Sequence, residues 1–568
     1  MKQCPFAPPH GKIINGAPGI QSSSIQAVMS RVPRILVIII STLASLCLLI
    51  TFNWGGYFKT HLVPSTSTFI ASQSHNESTD IKSTATVLSL DSPASIQFSA
   101  WLAAFNSHNR TTLLAYHAAH FPYDVASPDV SNIEREMLLS TISGGFDVIE
   151  ILNASGAGRM SDVPSTIDVI LHEKELRGYA RAMMQVDLHK DDYPVTKFEI
   201  NPTHTPIELV PEDRKEEFKK ALTPLTPARR KCVVKAISDA LRTKYLFPDV
   251  GEKMIRDLEA KLQDNGDYHT YEDSEAFARR LTRDMHAASG DRHILVGFFE
   301  PPLTHGNDDD EWRKPQELFD LFRTIGFGFR NRSFEMIKNK KLGFLPIDGF
   351  VPSTPESASD SVAIQAAISD ILSEVSDTDA LIIDLRYNSG GHPNTVAFVL
   401  SYLLDGAPVH LNDFVDRNGT VEDSFWTVTE DELPENAMRF GGSKPLFVLT
   451  SKETVSGGEE MVYDLRALKR VSSIIGEDET TAGAAHPVMG PDFLCEEEFG
   501  KYWWVLGVPN LQPVNDVTGS NWEGVGVRSD VVVRKGEDAK DVGRRMAIKA
   551  LGLGESMDEG QDETPQDL

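Results

Sequence analysis

Basic residues are in short supply in this chain: 55 Lys and Arg stand against 82 Asp and Glu, a net charge of −27 over 568 residues. A nucleic-acid partner needs a basic face, and this balance argues against that class. Cysteine is scarcer still, at four. No Cys/His cluster has zinc-ligand spacing and no phosphate loop of the GxxxxGK type occurs, so neither a metal nor a nucleotide cofactor is expected. Acidic residues are missing altogether before Glu77. In that stretch Ile35–Phe52 is apolar and free of charge, long enough to cross a bilayer as a helix. Arg31 and Arg34 precede it, and Trp54, Tyr57 and Phe58 follow at the opposite interface. The positive-inside rule then gives a cytoplasmic segment 1–34, a signal anchor over 35–54, and a remainder outside the cell or in a lumen. A cleaved signal peptide is the rival reading; the long leading segment and the lack of a small-x-small site after Phe52 count against it.

Beyond the anchor, 55–93 is Ser/Thr-rich and aperiodic, a tether. Phe98, Trp101, Leu102 and Phe105 mark one helix face, and extended segments follow at Phe146–Leu152, Ile167–Leu171, Tyr179–Leu188 and Val195–Ile200. Helices followed by four strands predict an α+β domain over 94–205, with helices laid on a curved antiparallel sheet. It resembles the cystatin-like half-barrel of the nuclear-transport-factor superfamily, and a scaffold or dimer contact is its default role. Proline-rich 202–227 reads as a linker, and three short helices fill a subdomain over 228–300, ending at Gly290-Asp291-Arg292-His293. From Leu342 apolar strands alternate with helices, which predicts an α/β core over 301–550 with a mainly parallel sheet. An acidic tail closes the chain over 551–568. Cys232 and Cys495 both lie beyond the anchor, so one disulfide is allowed but not required. Sequons at Asn76, Asn109, Asn153, Asn331 and Asn418 fit a glycoprotein on a secretory route.

Three pieces of the core can be assembled into an acyl-transfer site. Asn388-Ser389-Gly390-Gly391 follows the apolar run Ala380–Ile383, and Ser456-Gly457-Gly458-Glu459 follows the strand Leu446–Leu449. The third is Asn521-Trp522-Glu523-Gly524. A Gly-pair loop after a strand offers bare N–H groups to an anion, and a Ser at the next strand–helix junction offers a nucleophile. Each has an ordinary explanation taken singly. Ser456 to Glu459 is a capping box, Gly390-Gly391 is a turn, and His293 is one of sixteen histidines.

Together they resemble the tail-specific, or C-terminal processing, serine protease family. Asp384-Leu385-Arg386-Tyr387-Asn388-Ser389-Gly390-Gly391 matches its D-L-R-x-N-x-G-G signature, and Gly476-Glu477 with Thr480 to Pro487 is similar to its G-E-x-T-x-G loop. Asn521 to Val527 resembles the branch of interphotoreceptor retinoid-binding protein and the tricorn protease core. The resemblance implies a crotonase/Clp-like core and a serine-type peptidase. It implies Ser456 as nucleophile, His293 as base and Glu523 as the acid that supports it. It implies an oxyanion hole from Gly457 with Gly390 or Gly391. A His base of ordinary pKa would switch activity on through about pH 6–7, and a carboxylate partner would shift that rise upward.

The chain departs from the processing branch in two places. Thr481-Ala482-Gly483-Ala484-Ala485 lacks the Lys of a Ser–Lys dyad, which makes His486 in that loop the reserve base. The gap between Glu300 and Leu342, ~40 residues, is too short for an independent peptide-tail-binding domain. A peptide or protein substrate is expected, a homo-oligomer is left open, and the rival function is a non-catalytic carrier of apolar ligands, as in the retinoid-binding relatives.

Overall fold

The computed structural model describes residues 92–553, apart from 122–129, 156–164, 176–177, most of 301–331, and short breaks at 264, 353–357, 407 and 489. The expected anchor at 35–54, with its flanking segments, lies outside the described residues, as does the acidic tail from 554. Among the described residues no helix is long and apolar enough to cross a membrane.

The first module opens with helices α1 (Pro93–Asn106), α2 (Arg110–His120) and α3 (Val130–Ser143). The Ser92 hydroxyl accepts the Ser95 N–H at 3.1 Å, and the Asn109 carbonyl accepts that of Thr112 at 3.0 Å, so the first two helices start on side-chain caps. Strands β1 (Phe146–Ser155), β2 (Ser165–Glu173), β3 (Tyr179–Val186) and β4 (Val195–Thr203) pair antiparallel in that order. The fully buried rings of Phe98, Trp101 and Phe105 lie between helix and sheet. Phe105 stacks on Phe146 at 5.1 Å, and Trp101 meets Phe198 edge-on at 4.6 Å. One carboxylate enters this core: Glu136 accepts from Trp101 Nε1 at 3.1 Å and lies 3.0 Å from His117 Nε2.

In the second module, α4 (Lys215–Ala221) occupies the stretch expected to be a bare linker. It is anchored because Phe218 is fully buried, edge-on to Trp503 at 5.0 Å. Helices α5 (Pro227–Lys244), α6 (Pro248–Leu262) and α7 (Ser274–Ser289) follow. Their apolar stripes at Val234, Ile237 and Leu241, at Ile255 and Leu258, and at Phe277, Leu281 and Met285 are all buried. Gly290, at φ 78°, ends α7 in a left-handed cap and aims the chain through Asp291 and His293 into β5 (Leu295–Phe298).

The third module begins with β6 (Ser333–Ile337) and β7 (Lys340–Pro346), followed by α8 (Ala358–Val375), β8 (Ala380–Asp384) and α9 (Pro393–Leu403). A hairpin, β9 (His410–Asp416) and β10 (Val421–Trp426), precedes β11 (Leu446–Thr450), α10 (Gly457–Ala467) and β12 (Ser473–Gly476). Then come β13 (Asp492–Leu494), α11 (Glu496–Phe499), β14 (Trp504–Gly507), β15 (Leu511–Asn515), β16 (Val531–Val532) and α12 (Ala539–Ala550). The central sheet has the order β16-β12-β11-β8-β7-β6 and is parallel except at the β6–β7 hairpin, so the core is mixed α/β. Every residue of β8 and β11 is buried, as helices on both faces of a parallel sheet require.

Two smaller sheets complete the fold, β10-β9-β15 and β13-β14-β5. The second joins modules: β14, from the core's sequence, pairs with β5 at the end of the helical module. Trp503, Trp504 and Leu506 share one apolar cluster with the α5–α7 stripes. A disulfide between Cys232 in α5 and Cys495, just before α11, closes the same junction.

Candidate active site

The signature loop after β8 is built by its own side chains. Asp384 is buried and takes a two-point bond from Arg386, Nε to Oδ1 and Nη2 to Oδ2, both at 2.9 Å. Arg386 Nη1 also reaches Glu477 at 2.7 Å and Asp538 at 3.0 Å, tying β8 to the loop after β12 and to the start of α12. Asn388, fully buried, donates to the Ile347 carbonyl at 3.0 Å and accepts the Gly390 N–H at 2.8 Å. Its own carbonyl accepts the Val455 N–H at 3.0 Å, which docks the signature loop on the residue before Ser456.

Ser456 stands at the N-terminus of α10 with φ 55° and ψ −120°, a region that residues other than glycine rarely occupy. An ordinary N-cap serine sits in the extended region, so helix capping alone does not account for this geometry. A Cβ placed on Gly390 would fall 2.7 Å from Ser456 Cβ and 3.0 Å from Gly457 N, so only glycine admits Ser456 this close. A Cβ on Gly457 would fall 3.2 Å from Gly391 N. The backbones of Gly391 and Gly457 therefore pass close to each other next to Ser456, whereas the Gly390 N–H is already taken by Asn388.

Glu459 organises the other wall. Its carboxylate accepts from Ser456 N (3.1 Å), Thr481 Oγ1 (2.5 Å), Gly483 N (2.7 Å) and Ala484 N (2.9 Å). Burial pushes it up to about 7 despite those four donors. From the sequence it was one half of a capping box. That box forms in the fold, which also makes Glu459 the clamp between the Ser456 turn and the 481–485 loop, with the Thr481 hydroxyl donating to it.

The three expected catalytic side chains are not joined in one chain of hydrogen bonds. Glu523 is set against His486, with Oε2 at 3.4 Å from His486 Nδ1 and accepting the Ala485 N–H at 2.6 Å. Burial raises Glu523, and His486 beside it pulls the other way. Asp291 lies behind, with Oδ2 at 3.7 Å from His486 Nδ1, accepting from the Tyr245 hydroxyl at 3.2 Å. Burial alone would raise Asp291, but the neighbouring His486 and His293 hold it below its ordinary value. His293 hangs from the same carboxylate by its backbone, N to Oδ1 at 3.0 Å. Its ring is another matter: both nitrogens are buried and, among the described residues, without a hydrogen-bond partner. Burial pushes that imidazole down to about 4, further than Asp291 lifts it. The expectation of a base titrating at about pH 6–7 and raised by Glu523 is corrected here, because desolvation wins and Glu523 faces His486 instead. Asp291 could have been noticed two residues before His293; nothing in the sequence pointed to Tyr245.

A model of peptidase family S41 matches residues 341–532, and a model of the N-terminal domain of peptidase S41 in eukaryotic IRBP matches 219–320. The chain belongs to peptidase family S41. It is a serine-type peptidase, a hydrolase. Among solved structures it is similar to a lipoprotein from Streptococcus agalactiae, at 14% identity over 58% of this chain and 98% of that one, with a TM-score of 0.36. The photosystem II D1 C-terminal processing protease matches at 15% identity over 58% and 98%, TM-score 0.34. The tricorn protease matches at 10% over 72% and 46%, TM-score 0.33. Both S41 models fall on the modules that meet at β5–β14, the first holding Ser456 and Glu523 and the second holding Asp291 and His293.

Proposed function

We propose that the protein is a membrane-anchored peptidase that cleaves peptide bonds through an acyl-enzyme on Ser456, with His293 as base and Gly391 and Gly457 as the oxyanion donors. The observation that carries this reading is the positive-φ turn at Ser456, held against the Gly390-Gly391 backbone. Ser456 Oγ attacks the scissile carbonyl carbon while His293 takes the hydroxyl proton. The two N–H groups receive the negative charge that develops on the carbonyl oxygen. When the C–N bond breaks, His293 returns the proton to the leaving amine, and a water then repeats the sequence to release the acid. His293 fits the base role because its ring nitrogens are unpaired and burial keeps it neutral. Glu523, with His486 and Asp291, would supply the electrostatic support beside it. The catalytic modules would lie outside the cytosol, since the disulfide between Cys232 and Cys495 suits an oxidising compartment. Digestion of the core by protease added to the cytosolic side of sealed microsomes would overturn that topology.

Labelling with a fluorophosphonate and mapping of the modified residue tests the mechanism. The label is expected on Ser456, absent in Ser456→Ala, and slowed by orders of magnitude in His293→Ala. Wild-type rates in His293→Ala together with a dead His486→Ala would move the base to His486. A wild type that takes up no label would leave the carrier of apolar ligands as the better reading.

A further inference from the structure

The cluster behind the nucleophile has more ligating capacity than a peptidase of this mechanism needs. Asp291, His486 and Glu523 come from three separate stretches of chain, and one ligand atom from each lies within 4.8 Å of the others. His486 Nδ1 is 3.4 Å from Glu523 Oε2 and 3.7 Å from Asp291 Oδ2. A tetrahedral zinc ion with bonds of 2.0–2.2 Å separates its ligands by about 3.4 Å, so the spacing suits one ion among the three atoms. His486 is 3% exposed, and its Nδ1 is buried without a hydrogen-bond partner among the described residues, a cost that coordination would remove. Two carboxylates also converge there, each better tolerated beside a cation.

The surroundings hold these side chains in place. Asp291 is fixed by the Tyr245 hydroxyl and the His293 N–H, and Glu523 by the Ala485 N–H. Phe247 packs edge-on against the His486 ring at 5.2 Å. Such outer contacts orient metal ligands. The Glu523 side chain is 20% exposed, which leaves an approach for the ion and a water as fourth ligand. One imidazole and two carboxylates favour a borderline metal of the zinc class over magnesium or calcium, which prefer all-oxygen sites.

We propose that Asp291, His486 and Glu523 form a binding site for a divalent transition metal of the zinc class, and that its occupancy arrests the peptidase. The arrest rests on the proposed role of Glu523; the site itself does not. A bound ion would fix Glu523 and His486 on itself and so withdraw the support that Glu523 is proposed to give the base.

The test is a titration of the full-length, chelator-treated protein with zinc chloride, read by calorimetry and by competition with a chromogenic chelator. Fluorophosphonate labelling of Ser456 is followed in parallel. One zinc per chain is expected in the wild type and equally in Ser456→Ala. His486→Ala should weaken binding by more than the roughly 10–100-fold that loss of an outer partner costs. Millimolar magnesium should not compete, and labelling should fall with zinc occupancy and return with EDTA. Asp291→Asn, checked by circular dichroism, serves if His486→Ala fails to fold. Absence of saturable binding, or equal binding in the wild type and the ligand variant, overturns the site. Zinc bound through His486 with labelling unchanged overturns the arrest alone. An enzyme that never labels, with or without zinc, overturns the catalytic reading and leaves the titration to decide the site.

Discussion

The burial of the His293 ring has a readable consequence. In the unfolded chain an imidazole titrates near 6.5, whereas in the fold this one is pushed down to about 4. The folded protein therefore resists a proton that the unfolded chain accepts. The sign follows: the neutral ring costs nothing above about pH 6.5, and stability is lost as the pH falls from there toward 4. One pKa unit corresponds to about 1.4 kcal/mol, so the full loss is on the order of 3 kcal/mol. Other groups titrate in the same window, among them His392, also pushed down to about 4, and Glu459 and Asp464, pushed up to about 7. A comparison with His293→Gln removes them, because both proteins share them. Urea unfolding followed by tryptophan fluorescence at pH 7, 6, 5 and 4 is the assay. The variant should gain on the wild type by about 1.4 kcal/mol per pH unit below 6.5, reaching roughly 3 kcal/mol near pH 4. Wild-type activity should persist well below pH 6 before its acid limb appears. Parallel stability curves, or a limb at pH 6.5, would refute the claim that His293 is held neutral by desolvation.

Three further outcomes are expected. Ser456→Ala should abolish turnover while changing stability by no more than about 1 kcal/mol, whereas Ser456→Gly, equally inactive, should be more stable by about 1–3 kcal/mol because φ 55° no longer carries a side chain; thermal melts distinguish the two. Arg386→Ala leaves the buried Asp384 carboxylate without its partner and should cost about 3–5 kcal/mol in urea, with activity falling only as the fold does. Cys232→Ser should free a thiol on Cys495, detectable by maleimide, and lower stability by about 2–5 kcal/mol.

The parts legible in the sequence are those written in local pattern. The helix stripes at Val234, Ile255 and Phe277, the buried strands at Ala380 and Leu446, and the loops at their carboxyl ends all follow from periodicity and glycine placement. Boundaries moved by a few residues: α8 begins at Ala358 where the apolar pattern begins at Ala363. The β10-β9-β15 sheet was missed because Val421–Trp426 shows its side chains to solvent at every position but Phe425, leaving no alternation to read. The helix α4 was hidden because its one large apolar anchor, Phe218, is answered by Trp503 far along the chain. The pairing of Glu523 with His486, and not with His293, had the same cause. It depends on the path of the 481–486 loop, which Glu459 sets by collecting backbone amides. The depressed His293 could not be foreseen either, since desolvation is a property of the packed site.

The pairing of β5 with β14 also bears on when the enzyme can act. Leu295–Phe298 leaves the ribosome long before Trp504–Gly507, and Ser456 is made between them. Until β14 emerges, β5, which follows directly on Asp291 and His293, has no sheet neighbour among the described residues, and Cys232 has no Cys495 to bond. Through most of its synthesis a growing chain thus lacks both the strand pairing and the disulfide that join these modules. The junction between the second and third modules closes only once Trp504–Gly507 has been made.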